Sequence, residues 1–186
     1  MNLSIPYHLA SEQECMLACI RQERWAQKKL YEDNYPAMMA VAMRYAGNNE
    51  DALDILHESF VKVFRNIQSY QAGTSVTAWI RKIVINTSID FYRKEKKRKT
   101  EYIEEALHLT SSIPDAISKL SSDEILLAIQ QLPHSYRSVF NLYVIEGYAH
   151  KEIADMLGIN ESTCRANLVK ARTKLQSMLL RHEINE

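Results

Sequence analysis

The run Tyr148-Ala-His-Lys-Glu-Ile-Ala-Asp-Met-Leu-Gly158-Ile-Asn160, continuing as Glu161-Ser-Thr-Cys-Arg-Ala-Asn-Leu-Val-Lys-Ala-Arg172, carries the sharpest local signal in the chain. Ile153, Ala154 and Leu157 put an apolar stripe on a first helix. Gly158 suits the left-handed turn that ends such a helix, and Asn160 is a good cap for the next. That combination reads as helix-turn-helix. In the second helix Cys164, Leu168, Ala171 and Leu175 recur at i, i+4, i+7 and i+11, so they face inward. Ser162, Arg165, Ala166, Val169, Lys170 and Thr173 are left on the opposite side. Short side chains, a methyl-bearing valine and two long cations suit a recognition helix in the major groove. Arg165 and Lys170 are the best base or phosphate donors, while Arg172 and Lys174 lie toward the flanks and suit backbone. Helical spacing alone would equally describe a solvated hairpin; the glycine turn and the cap favour DNA binding.

Working outward, a second helix is expected from about Ser75 to Lys97. Val76, Ile80, Ile83, Val84, Thr87 and Phe91 repeat at core spacing, and Ile85, Ile89 and Tyr92 widen the apolar surface. One narrow polar stripe remains: Trp79, Lys82, Asn86, Asp90, Arg93 and Lys97. An aromatic, an amide and a carboxylate threaded among cations suit bases as well as phosphates. A third helix, about Glu50 to Ile67, is expected to bury Leu53, Leu56, Phe60, Phe64 and Ile67. Its far side would then carry Asp51, Asp54, Ile55, Glu58, Val61, Lys62 and Arg65. Two aliphatic residues among those charges hint at a protein partner, although scattered exposed apolar residues are common.

Composition sets the frame for these helices. The chain has 186 residues with only four glycines and four prolines, which favours helix. Its 23 Lys and Arg balance 23 Asp and Glu, so the formal net charge is zero. That average hides segregation. Residues 81–99 and 165–181 are basic, whereas the stretch containing Glu101, Glu104, Glu105, Asp115, Asp123 and Glu124 is acidic. Two separate cationic surfaces are therefore available to phosphates. Nothing approaches the roughly 18 continuous apolar residues of a membrane span, and the N-terminus lacks a basic start followed by an apolar core. The expectation is a cytoplasmic protein without membrane insertion. Cys15, Cys19 and Cys164 are read as free thiols, and two cysteines on one helix face make a poor zinc site, so no metal or cofactor is expected.

The sequence thus predicts an all-α protein of two small helical domains joined by a linker, the C-terminal one a helix-turn-helix. Residues 1–99 form an N-terminal bundle with breaks at Tyr35-Pro36, Gly47-Asn48-Asn49 and Gln71-Ala72-Gly73-Thr74. Residues 100–120 read as an acidic linker. Residues 121–186 open on a capping-box pattern at Ser121-Ser122-Asp123-Glu124 and continue helical to about Leu180.

Several separate stretches resemble the extracytoplasmic-function subfamily of the sigma-70 RNA polymerase sigma factors. Asp51-Ala-Leu-Asp54-Ile-Leu-His57-Glu58-Ser-Phe60 looks like that family's polymerase-binding helix, with His57 where glutamine is usual. Ala78-Trp79-Ile80 through Asn86, with Asp90-Phe-Tyr-Arg93, is similar to the segment that opens and reads the minus-ten element. Leu132-Pro133 to Phe140, then Glu146-Gly147-Tyr148, Glu152-Ile153-Ala154 and Leu157-Gly158-Ile159, looks like the domain that reads the minus-thirty-five element.

The resemblance implies no catalytic residue; chemistry would belong to the polymerase. It implies core polymerase binding by Asp51, Asp54, Ile55, His57, Glu58, Val61 and Lys62. For the minus-ten element it implies Thr74, Ser75, Trp79, Lys82, Asn86, Asp90, Arg93, Lys94 and Lys97, with the loop from Ala72 to Ser75 holding a base flipped from the melted non-template strand. Ser162, Thr163, Arg165, Ala166, Val169, Lys170 and Arg172 would read the minus-thirty-five duplex. The implied partners are core RNA polymerase, promoter DNA and an anti-sigma factor. The competing reading is a helix-turn-helix regulator that acts without being a polymerase subunit; the 51–60 and 79–97 patterns argue against it. Two departures from the family pattern carry consequences. Ala149 stands where a capping serine or threonine is common, which predicts a first helix weaker by about 1 kcal/mol unless another group substitutes. Ala166-Asn167 stands where serine-arginine is common, so promoter preference and one phosphate contact differ. His57 with Glu58, or His150 with Glu152, could be taken for acid-base pairs, but no nucleophile or phosphate loop accompanies them and they read as helix surface.

Overall fold

In the computed structural model, described over residues 11–99 and 122–183, every regular element is helical. Side chains are described within 11–94 and 123–179. The linker at 100–120, the expected cap at Ser121 and the Lys97 side chain lie outside the described residues. The chain clusters into two compact units. One comprises Met1–Ala42 and Asn49–Ser88, the other Met43–Asn48 and Ile89–Glu186.

In the first unit, α1 (Glu12–Ile20) begins on a full capping box. Ser11 Oγ accepts from the Glu14 amide at 3.2 Å, and the Glu14 carboxylate accepts from the Ser11 amide at 2.8 Å. These bonds satisfy two of the amides a helix start leaves open, and they hold the Glu14 carboxyl below the ordinary carboxylate range. Cys15 and Cys19 are buried with Met16 and Ala18. Burial pushes both thiols up, that of Cys19 to about 12, so they are inert neutral groups.

The break after α1 had no glycine or proline to announce it. Gln22 makes the turn at φ 60°, where a side chain is disfavoured, and is the one non-glycine residue with positive φ among the described residues. Glu23 secures the turn, accepting from Arg21 Nε at 2.6 Å and Trp25 Nε1 at 2.5 Å.

Helix α2 (Arg24–Tyr45) corrects the expectation of a break at Tyr35-Pro36, since it runs straight through Pro36. Pro36 and Glu32, whose carbonyl forgoes its helical bond, both lie on the exposed side, where water can replace that bond. On the opposite side of the helix, two residues from Pro36, buried Asn34 donates to the Leu30 carbonyl at 2.9 Å and accepts from Thr77 Oγ1 at 3.0 Å. Helix α3 (Asn49–Arg65) is followed by a 3₁₀ turn at Ile67–Ser69, against which α1 packs. Helix α4 spans Val76–Lys99. Met38, Val41, Ile55, Leu56, Val63, Val76, Ile80 and Val84 form the buried interior of this unit.

In the second unit, α5 (Ser122–Gln130) and α6 (His134–Phe140) precede a π-helical turn at Asn141–Ile145, then α7 (His150–Leu157) and α8 (Glu161–Glu183). The expectation of continuous helix is corrected at residues 146–149, where Gly147 turns the chain at φ 78°. Arg137 is buried, and its guanidinium donates to the carbonyls of Gln130 and Leu132, closing the α5–α6 turn. The last carbonyls of α2 are also satisfied within this unit. Gln130 donates to Met43 at 3.0 Å, Asn141 to Arg44 at 2.7 Å and Arg137 to Tyr45 at 3.0 Å. Ala128, Ile129 and Leu132 pack with Ala171 and Leu175 of α8.

Gly158 ends α7 at φ 64°, in the left-handed conformation the sequence anticipates. Ala149 has cap geometry but no side-chain acceptor, and only the reciprocal half of a capping box survives: Glu152 accepts from the Ala149 amide at 2.8 Å. Replacing Ala149 by Ser restores the missing acceptor and is expected to stabilise α7 by about 1 kcal/mol, read as slower amide exchange at Glu152. Gln22→Gly relieves the left-handed side chain against some added freedom in the unfolded chain. A net gain of about 0.5 to 1 kcal/mol is expected in urea unfolding followed by the fluorescence of Trp25 and Trp79, and no gain would mean that the Gln22 turn is unstrained.

Candidate nucleic-acid interface

The recognition-type helix divides cleanly. Cys164, Leu168, Ala171 and Leu175 are all buried, as their spacing requires. Ser162, Thr163, Arg165, Ala166, Val169, Lys170 and Arg172 are all exposed. Val169 is 60% exposed, an apolar tip in a polar and cationic field. Three cations are pre-positioned by neighbours. Arg165 pairs with Glu161 one turn back, Lys170 Nζ lies 5.9 Å from the Tyr136 ring, and Arg172 lies 6.0 Å from the Tyr143 ring. The two ring contacts restrict long side chains without neutralising them, whereas the Glu161 carboxylate offsets the charge of Arg165. The face is short at its centre and cationic at its edges, which suits a groove with phosphates on either side.

On α4, Lys82, Asn86 and Arg93 are exposed, Trp79 and Asp90 are half-buried, and Lys94 is exposed beside them. The stripe is therefore on the surface of the helix and not in its core. Arg93 lies 3.7 Å from Asp90 and also donates to the Met156 carbonyl. The loop ahead of α4 is knit together. Thr74 donates to the Gln71 carbonyl from its amide at 3.2 Å and from its hydroxyl at 2.8 Å, and Gly73 takes φ 89°. Ser75 Oγ accepts from the Ala78 amide at 3.2 Å and so caps α4.

Tyr70 ties this loop to the helix. Its hydroxyl donates to the Thr74 carbonyl, and its ring meets Trp79 edge-on at 5.6 Å between centroids. Trp79 therefore braces the loop and helix together while keeping part of its surface open. Sequence reasoning passed over Tyr70 because a tyrosine at the end of a 3₁₀ turn carries no periodic signal.

Helix α3 rotates from its expected setting. Ile55, expected on the outer side, is 0% exposed. Ala52, Ile55, Leu56, Ser59, Phe60, Val63 and Ile67 form the buried stripe, and Leu53 and Phe64 lie at its margin. The small residues Ala52 and Ser59 supply what the apolar pattern missed. The Ser59 hydroxyl donates to the Ile55 carbonyl at 2.6 Å, so a polar side chain is tolerated inside. The outer face is Asp54, His57 and Val61, flanked by half-buried Asp51, Glu58 and Lys62. Lys62 and Glu58 pair at 3.3 Å, and Val61 is 46% exposed.

His150 was read as helix surface and is not. It is half-buried, with Nδ1 3.3 Å from Cys164 Sγ and its ring stacked on Tyr143, while Glu152 serves the backbone instead. A histidine and a cysteine 14 residues apart give no pattern that sequence could reveal.

Comparison with known proteins falls on the same segments. Residues 30–98 match the sigma-70 region 2 family, and residues 122–175 match sigma-70 region 4. RNA polymerase sigma factor SigZ of Bacillus subtilis is 30% identical over 127 residues, covering 68% of this chain and 71% of SigZ. ECF RNA polymerase sigma factor SigE of Mycolicibacterium smegmatis is 32% identical over 148 residues; the match covers 76% of this chain but only 57% of that longer protein. Among solved structures, sigma factor RpoE from Bartonella quintana, crystallised with the anti-sigma factor NepR, aligns with a TM-score of 0.51 at 24% identity. That alignment covers 82% of this chain and 95% of RpoE. With helical segments in this order and region 2 and region 4 sequences at these positions, the chain belongs to the sigma-70 family of RNA polymerase sigma factors, in its extracytoplasmic-function branch.

Proposed function

We propose that this sigma factor works through three outward helix faces, two that hold promoter DNA and one that holds core RNA polymerase. The observation that carries this reading is the division of α8, whose inner stripe is wholly buried while each residue assigned to the minus-thirty-five duplex is exposed. On α4, Lys82, Asn86, Asp90, Arg93 and Lys94, with Trp79 behind the loop of Thr74 and Ser75, hold the melted non-template strand of the minus-ten element. The Tyr70–Trp79 brace favours this assignment, because a flipped base needs a loop that keeps its shape while stacking energy is lost. On α3, Asp54, His57 and Val61, flanked by Asp51, Glu58 and Lys62, form the docking face for the polymerase. Ile55 supports that face from inside. Residues 1–99 and 121–186 are taken as the two functional arms and 100–120 as the tether between them.

The chemistry of RNA synthesis stays with the polymerase, and this chain contributes placement and strand capture. Work of this kind is done in the cytoplasm. An anti-sigma factor that covers one of the cationic faces would hold the protein inactive, a reading supported by the charge segregation in the sequence.

Run-off transcription from a promoter library, with core polymerase alone and with this chain added, tests the whole reading. Stimulation confined to a defined promoter class is the expected result. Absence of both stimulation and association with core polymerase would return the chain to the class of ordinary helix-turn-helix regulators. Within a responsive promoter, the DNA roles of two cations separate. Lys170→Ala is expected to cost about 1 to 3 kcal/mol on the preferred duplex and less on unrelated duplex if it reaches base edges. Lys82→Ala is expected to weaken binding to all sequences alike and to lower the salt slope by about 1, as loss of a phosphate contact does.

A further inference from the structure

Three elements of the helix-turn-helix meet at a polar knot. His150 opens α7, Cys164 lies in the first turns of α8, and Tyr143 belongs to the π-helical turn. His150 Nδ1 is 3.3 Å from Cys164 Sγ, and its ring stacks on Tyr143 with centroids 4.4 Å apart and planes at 18°. Cys164 is 0% exposed. Stacking fixes the plane of the imidazole and so aims Nδ1 at the sulfur.

Both members of the pair are held neutral. Burial raises the Cys164 thiol above its ordinary value, with Arg165 pulling the other way and Glu161 adding to the rise. Burial first, then Arg165 and Arg172, lower His150, and Glu161 offsets part of that. The pair is therefore not a thiolate–imidazolium ion pair. In the tautomer with the imidazole proton on Nε2, the S–H donates to Nδ1. This contact ties α7 to α8 where Ala149 leaves the α7 cap without an acceptor.

We propose that His150 and Cys164 act as one positioning unit that seats the recognition helix on α7, making minus-thirty-five discrimination depend on a neutral imidazole. The inference rests on the reading of α8 given above. A helix that rocks on its support loses base-edge contacts before phosphate contacts, because base readout has narrow geometry and phosphate attraction does not. Protonation of His150 removes the acceptor and places a further positive charge among Arg165 and Arg172. A basic group whose value is lowered in the fold contributes docking that is present above its ordinary value near 6.5 and lost as pH falls through the lowered one.

The test uses the full chain with core polymerase on the strongest promoter selected from the library and on the same promoter with a scrambled minus-thirty-five element. The measured quantity is the ratio of the two run-off yields. His150→Phe keeps the stack without the acceptor, and Cys164→Val fills the site without the donor. Each is expected to lower the ratio roughly three- to tenfold, with affinity for unrelated duplex and the unfolding midpoint little changed, and the double variant to be no worse than the worse single one. Cys164→Ser, which retains a donor, stays within about twofold of the parent. The parent's ratio holds from about pH 7.5 down to about pH 6.5 and falls below that, whereas that of His150→Phe is flat. The proposal is overturned if both single variants keep the parent's ratio, if their losses multiply, if serine fares as badly as valine, or if the parent's ratio has the same pH profile as that of His150→Phe. Should a variant fail to fold, the serine variant and the parent's own pH profile still decide. A parent that shows no preference for the intact element instead refutes the reading of α8, and the positioning role with it.

Discussion

The reading face of α8 exists because its other face is already committed. Cys164, Leu168, Ala171 and Leu175 are closed off in the second unit, and each large aliphatic side chain so buried contributes on the order of 1.5 to 3 kcal/mol. With helix geometry fixed at 3.6 residues per turn, that choice leaves no freedom in which residues point outward. Arg137 supports the same arrangement from below. It is a buried cation accepted by backbone carbonyls, and it fixes the corner from which α6 runs beside α8. Position of the reading face is thus a consequence of packing, and its chemistry is a separate matter settled by residues that pack against little.

How much of this was legible in the sequence depended on whether a periodic signal existed. Helix α8 had one, since its buried positions are apolar or small and its outer positions short or charged. The α4 stripe was legible for the same reason. Helix α3 misled because core positions are held by Ala52, which is small, and Ser59, which is polar, so the bulky apolar pattern turned Ile55 outward by mistake. Pro36 misled in the opposite direction: a proline on the solvent side of a long helix costs less than one inside. Gln22 could not be anticipated, since nothing local compels a glutamine into left-handed backbone; the contacts of Glu23 on either side hold it there. Tyr70 and the His150–Cys164 pair stayed hidden because contacts across a turn or between two helices leave no spacing to read.

The two faces proposed to hold DNA differ in how they are built. On α4, a structured loop stands ahead of the helix, and Tyr70 and Trp79 make a rigid corner whose cations trail behind it. On α8 nothing precedes the face but a glycine turn, and rigidity comes from beneath. A strand with its bases exposed needs a shaped receptor, whereas duplex DNA brings its own groove and asks mainly for a correctly seated rod. The different local architectures fit that difference between the proposed ligands.

Val169 gives the proposed duplex contact a second currency. Cations on the same face act through counterion release, so their hold on DNA fades as ionic strength rises. A valine tip against a thymine methyl group draws on water exclusion, which moderate salt leaves almost untouched. Total grip and sequence preference would thereby be uncoupled: a change in ionic strength would alter how long the protein stays on any DNA without altering which base step it favours beneath Val169.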